Sequence, residues 1–145
     1  MRVTQEADYA IRICCTLDEA GGYLDAESIA KGVCVSKSTA LKVLRVLREK
    51  GLVSSRKGTV GGYALSRDPN ELTVREIIEA LDGRVCISKC LYDEHACSKN
   101  GHQKLCCKMH LAFSAINDSL VKSLSAITVR SITDPNVAPE EILKN

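Results

Sequence analysis

The chain has 145 residues, 20 Lys+Arg against 18 Asp+Glu for a formal net charge of +2, eight Cys and no Trp. That length suits one ordinary domain or a small domain with an appendage, and 45% hydrophobic with 26% charged residues excludes bulk disorder. No apolar run approaches the roughly 18 residues that cross a bilayer, which excludes a spanning protein.

The opening MRVTQEADYAIR carries Glu6 and Asp8 where a secretory leader needs a basic patch and an apolar block. The expectation is a cytoplasmic protein with no membrane partner. In that reducing compartment, eight Cys point to metal ligands or redox sensors rather than disulfides. From Gln5 to Ala20 the residues Ala7, Ala10, Ile11, Cys14 and Leu17 recur at helical spacing, and Gly21-Gly22 ends the helix. Asp25 caps a short second helix over 26–31, stopped near Gly32, and Val33-Cys34-Val35 makes a tight connection. Ser36 caps a third helix running to Lys50, with Gly51 as its stop. Two helices joined by a Gly-containing turn, the second strongly basic, form a helix-turn-helix pattern.

LVSSRKGTVGGYALSR follows. Leu52-Val53 and Tyr63-Ala64-Leu65 are strand-like, Gly58, Gly61 and Gly62 supply the bend, and Arg56 and Lys57 stand near the tip of this wing. Asp68-Pro69-Asn70 is a turn, Thr73 with Glu76 is a capping box opening a helix to about Asp82, and Gly83 closes the unit. Periodicity then disappears in RVCISKCLYDEHACSKNGHQKLCC, which holds five of the Cys and two of the three His. It returns as Met109, Phe113, Ile116, Leu120, Leu124 and Ile127, a long helix whose apolar stripe predicts pairing with a second subunit about a two-fold axis. The expected fold is mainly α with a small β-hairpin wing. It divides into a winged helix-turn-helix domain with its N-terminal helix (1–83), a Cys/His loop (84–107), a dimerisation helix (108–132) and a loose tail (133–145).

Charge is uneven. Between Ser28 and Arg67 nine basic residues stand against Glu49 alone, a net +8, and the other 105 residues sum to −6. That is the electrostatic footprint of a nucleic-acid-binding face. On a helical wheel Ala40, Val43, Leu44 and Leu47 form the core side of helix three, with Ser38, Lys42, Arg45 and Glu49 opposite and Lys37 and Arg48 at the flank. A helix in the major groove presents its N-terminal residues to base edges and later cations to phosphates. The expected base-side residues are Ser36, Lys37, Ser38, Thr39 and Lys42, with Arg45 and Arg48 on the backbone. Arg56 and Lys57 suit the narrow, negative minor groove. A winged helix used for protein contacts is the alternative. In the loop, Cys90, Cys97, Cys106 and Cys107 with His95, His102 and His110 are soft ligands suited to an iron–sulfur cluster, zinc or copper(I). Spacing does not choose among these, although the lack of a CxxC pair weakens a zinc ribbon.

The segment LKVLRVLREKGLVSSRKGTVGGYAL closely resembles the winged-helix signature of the Rrf2 family of bacterial transcription regulators, the IscR and NsrR type. The opening T-x-x-x-DYAIR, the ELTVREIIEALDG after the wing and the late ITVRSI are also similar, so the resemblance covers about residues 1–132. It implies a homodimeric regulator of palindromic operator DNA, with a long helix from each subunit forming the dimer. Thr39-Ala40-Leu41 departs from the Tyr-Leu-Glu of many relatives. The acidic residue is missing, and Leu41, at the edge of the exposed face, is placed to meet a thymine methyl group instead. Arg45 stands where many relatives are uncharged.

By resemblance, Cys90 (seven residues after Gly83), Cys97 and Cys107 (six before Phe113) are the thiolate ligands of an iron–sulfur cluster, 2Fe-2S or 4Fe-4S. The fourth ligand is His110, three residues after Cys107, or the partner subunit's Asp8, and Cys106 can replace Cys107. Cys14, Cys15 and Cys34 read as packing, and Cys86 as a spare thiol or redox partner of Cys90. His95 and His102 read as solvated. The expectation is a repressor-type regulator whose DNA affinity follows the cluster and hence redox state, nitric oxide or iron–sulfur status. A cluster-free thiol/disulfide repressor and an iron–sulfur electron carrier are the rivals. An enzyme is not expected: Asp8, Asp18 and Glu19 make no acid–base constellation, and GTVGGY lacks the Lys and helix of a phosphate-binding loop.

Overall fold

The computed structural model describes residues 2–59, 61–93 and 107–142. In order these form α1 (Gln5–Ala20), α2 (Ala26–Val33), α3 (Lys37–Glu49), β1 (Val53–Arg56), β2 (Gly62–Leu65), α4 (Val74–Asp82), α5 (Lys108–Ala126) and α6 (Val129–Thr133), with 3-10 turns at Lys89–Leu91 and Pro139–Glu141. Among the described residues no helix is long and apolar enough to cross a membrane.

α1 is the hub. Thr4 caps it by accepting from the Ala7 N–H, and its buried Ala7, Ala10, Ile13, Cys14 and Leu17 are covered by α2, α3, α4 and α6. Ile29 and Val33 of α2, Val43, Leu44 and Leu47 of α3, Val53, Leu72, Ile77 and Val129 complete one core. Each such side chain contributes roughly 1.5–3 kcal/mol by leaving water, so α3 is seated by the face opposite its charges.

α2 does not stop at Gly32 but runs to Val33, and its left-handed cap is Cys34 at φ 60. Gly32 instead lies inside α2 close against α1: a Cβ there would lie 3.1 Å from Thr16 Cγ2. Cys34 is exposed rather than packed. α3 begins at its Ser36 cap, and Gly51 beyond it has φ 73.

β1 and β2 pair antiparallel, with Val53 opposite Leu65 and Arg56 opposite Gly62. Val53, Tyr63 and Leu65 turn toward the core, so Ser54, Arg56, Gly62 and Ala64 share the outer face. The α1–α2 connection adds a third rung: the Leu24 N–H donates to Tyr63 O, and the Tyr63 N–H to Leu24 O, both at 2.9 Å. Gly62 lies so close to this rung that a Cβ would sit 2.4 Å from Leu24 O.

The α4 capping box of Thr73 and Glu76 is present in both directions. The carboxylate of Asp82, at the other end of α4, accepts from the Thr4 N–H at 3.0 Å and from the Thr4 hydroxyl, fastening α4 to the start of α1.

The single helix expected over 108–132 is broken. α5 ends at Ala126, Ile127 is extended, and Thr128 caps α6. The break arises because the chain there pairs with the strand-like entry to α4: the Val74 N–H donates to Ile127 O at 2.8 Å and the Val129 N–H to Leu72 O at 2.9 Å. Arg130 then reaches Asp18, buried on α1, at 2.7 Å, and the Thr133 hydroxyl donates to the same carboxylate. Residues 128–133 therefore belong to the winged unit, and the tail is anchored at its start.

Candidate nucleic-acid interface and cysteine loop

Ser36 sets the start of the recognition helix. Its Oγ accepts from the Thr39 N–H at 3.1 Å and lies 3.0 Å from Ser38 Oγ and 2.8 Å from Thr39 Oγ1. The three hydroxyls expected near bases are therefore tied to one another at the helix N-terminus. Lys37 Nζ lies 3.6 Å from Glu27, and Arg45 Nε donates to Glu49 at 2.9 Å. The hydrogen bond and charge of Arg45 hold the Glu49 carboxyl below its ordinary range. Both pairs are exposed, where water and salt screen them and a phosphate competes readily. Lys42, Arg48 and Lys57 are exposed and make no ion pair among the described residues, and Leu41 is 39% exposed beside Lys42.

Arg56 behaves differently. Its guanidinium lies over the Tyr23 ring, 4.4 Å from the centroid. Neither Tyr23 nor the Leu24 rung is signalled by spacing or charge in the sequence, because both contacts join segments about 30–40 residues apart. The thiols in α1 are quiet: burial, with a smaller contribution from Cys15, pushes the Cys14 thiol far above its ordinary value. Burial, then the nearby Glu19 and Asp18 charges, pushes Cys15 up to about 11.

The rims of the cysteine loop are well defined. Cys90 sits in the 3-10 turn Lys89–Leu91, its Sγ 3.3 Å from Ser88 Oγ, and the Cys86 thiol donates to Ser88 O at 3.0 Å. Cys107 is the N-cap of α5 and its Sγ accepts from the His110 N–H at 3.5 Å. The Ile87 N–H donates to Oδ1 of the buried Asn117 at 3.1 Å, and the Cys90 turn packs on α5, so both rims are joined to that helix. Cys97, Cys106, His95 and His102 lie outside the described residues. Among the described residues no three His, Cys, Asp or Glu side chains converge as a metal site. Asp8 pairs within its own chain to Arg12, at 2.8 Å. By chemistry the rim residues fit an iron–sulfur group: two half-buried thiols, one at the positive end of a helix and accepting an amide hydrogen, with an imidazole one turn on.

On α5 the expected stripe divides. Leu120, Leu124 and Ile127, with Val121, pack against Val74, Ile78 and Val85 of their own chain. Met109 and Ile116 are 61% and 55% exposed, Leu111 is 48% exposed, and Phe113 is half-buried.

Residues 3–135 match the Rrf2 family, described as an iron-dependent transcriptional regulator. The HTH-type transcriptional regulator IscR of Photorhabdus laumondii is 29% identical over 136 residues, spanning 92% of this chain and 80% of that protein. IscR of Escherichia coli O1:K1 is likewise 29% identical over 92% of this chain and 81% of its own. Among solved structures, CymR, the global cysteine regulator of B. subtilis, superposes with a TM-score of 0.73 at 25% identity, over 92% of this chain and 96% of that one. IscR of T. potens shares the fold with a TM-score of 0.69 at 23% identity, over 91% and 85%.

Proposed function

Because this chain belongs to the Rrf2 family of transcription regulators, we propose that it acts as a homodimer on palindromic operator DNA, with an affinity set by an iron–sulfur cluster in the 84–107 loop. Lys37, as its exposed pair with Glu27 yields, and Lys42, with Ser38, Thr39 and Leu41, face base edges. Arg45, as its exposed pair with Glu49 yields, and Arg48 take phosphates, and Arg56 and Lys57 enter the minor groove. Ser36 acts by fixing where the helix begins. Met109, Phe113 and Ile116 meet the same residues of a second copy about a two-fold axis, which converts one winged unit into a reader of two half-sites.

Cys90, Cys97 and Cys107 hold the cluster, with His110 or the partner subunit's Asp8 completing it and Cys106 as the substitute. Bound there, the cluster supplies redox and ligand-exchange chemistry. The observation carrying this reading is that the Cys90 turn and the Cys107 cap both seat on α5. Whatever rearranges the loop therefore bears on the helix proposed to set the distance between recognition helices, and half-site spacing makes affinity sensitive to it. Anaerobically purified protein is expected to carry iron and acid-labile sulfide, and its holo and apo forms to differ in gel shifts on an operator fragment. Colourless, iron-free protein, or equal binding by both forms, refutes the control mechanism.

A second reading, a metal-free thiol switch, is favoured by Cys86 and Cys90 both lying within hydrogen-bond reach of Ser88. Mass spectrometry after diamide treatment distinguishes it by a Cys86–Cys90 disulfide in protein that binds no iron.

A further inference from the structure

We propose that Tyr23, in the connection between α1 and α2, is a positioning residue for DNA recognition: its ring is the platform that holds the Arg56 guanidinium ready for the minor groove. This rests on the reading that the wing contacts DNA.

The register of the wing places the two side chains together. Arg56 is opposite Gly62 on β2, and Leu24 is opposite Tyr63. Continuing that antiparallel register puts Tyr23 opposite Ala64, on the same outer face as Arg56 and Gly62. The residues between Arg56 and Tyr23 on that face are thus a glycine and an alanine. A long side chain can cross them, and the 4.4 Å separation of guanidinium and ring centroid shows that it does. Any larger residue at 62 is excluded by the approach of Leu24 O, so the channel under Arg56 is kept open by the same contact that brings Tyr23 to the wing.

An exposed arginine ordinarily samples many rotamers, and ordering it in a groove lowers affinity by that lost freedom. An aromatic platform restricts it beforehand, because the ring engages the face of the cation. Tyr23 is itself 41% exposed, so the pair forms a projecting unit at the side of the wing and not a buried structural contact.

The test is a double-mutant cycle on the full-length protein, using fluorescence anisotropy with two 30-base-pair duplexes, one with A-tracts and one with G·C in the same positions. An exposed cation–π contact corresponds to an affinity change of about two- to fivefold. Tyr23→Leu is expected to lose about that much on the A-tract duplex and little on the G·C duplex. Tyr23→Phe is expected to bind like the parent, and Tyr23→Leu to have no further effect when Arg56 is already Ala. Circular dichroism melts within a degree or two of the parent confirm that the fold is kept. If Tyr23→Leu weakens binding equally with and without Arg56, or leaves A-tract binding unchanged, the positioning role is wrong while the DNA-binding reading stands. A parent protein that shows no salt-sensitive binding to either duplex overturns both.

Discussion

Replacing Gly62 by Ala attacks the wing at its tightest point. The glycine has φ 143, a region that L side chains rarely adopt, and a Cβ would meet Leu24 O at 2.4 Å. Relief requires the α1–α2 connection to separate from β2, which abandons the two 2.9 Å hydrogen bonds between Leu24 and Tyr63. Two such bonds are worth about 2 kcal/mol together, and the backbone strain adds about 1–3 kcal/mol. The loss is then about 3–5 kcal/mol, a large part of the 5–15 kcal/mol typical of a domain. At a few degrees per kcal/mol for this chain length, the melting temperature should fall by about 10 °C. Gly51→Ala is the control, because Gly51 has φ 73 with nothing within 4 Å of its Cβ direction, which isolates strain from collision. Thermal melts by circular dichroism and amide exchange at Leu24 and Tyr63 measure both effects. A Gly62→Ala protein that melts like Gly51→Ala and keeps both amides protected would falsify the argument from close approach.

Three further outcomes are expected. Arg130→Ala leaves Asp18, whose side chain is 3% exposed, without its cation; because Arg130 itself is half-exposed, the loss should be nearer about 2 kcal/mol than the full penalty of a buried pair, and equal urea midpoints for Arg130→Ala and the parent would remove this tie from the account. Burial alone would raise the Glu76 carboxyl, but hydrogen bonds from the Thr73 N–H, Arg67 and the Thr73 hydroxyl outweigh it and hold the group below its ordinary 4.5. Its stabilisation is therefore present above that value and lost as pH falls through the lower folded value, so Glu76→Gln should flatten the acid limb of a stability-versus-pH curve, and an unchanged limb counts against the capping box as its source. Native protein treated with iodoacetamide at pH 8 should be alkylated quickly at exposed Cys34 and slowly at Cys14 and Cys15, whose thiols burial keeps protonated; peptide mapping that finds Cys15 labelled as fast as Cys34 contradicts the packing described for α1.

Much of the fold is legible in local chemistry. Ser36, Asp25 and the Thr73–Glu76 box announce helix starts because capping is a hydrogen bond to the next few residues, and the glycines of the wing announce its bend. The misread points depend on partners far along the chain. Gly32 looks like a stop but lies inside α2, against Thr16 of α1, and the helical stripe continues through Ile127 although pairing with residues 72–74 ends α5 there. The same holds at the site. The basic face of α3 follows from a wheel, whereas the Arg56–Tyr23 pair and the anchoring of both loop rims on α5 follow from tertiary register, which no single stretch of sequence records.

The return of residues 128–133 to α1 also has a consequence for synthesis. Val129 is fully buried in the core beside residues from the first half of the chain, and Arg130 reaches a carboxylate 112 positions earlier. A nascent chain that has emerged only through α4 lacks a piece of its own core. The DNA-reading unit therefore completes only after the cysteine loop and α5 have left the ribosome. Contacts of such long range make the final closure slow relative to helix formation. The reader is thus complete only once the segment proposed to regulate it has been synthesised.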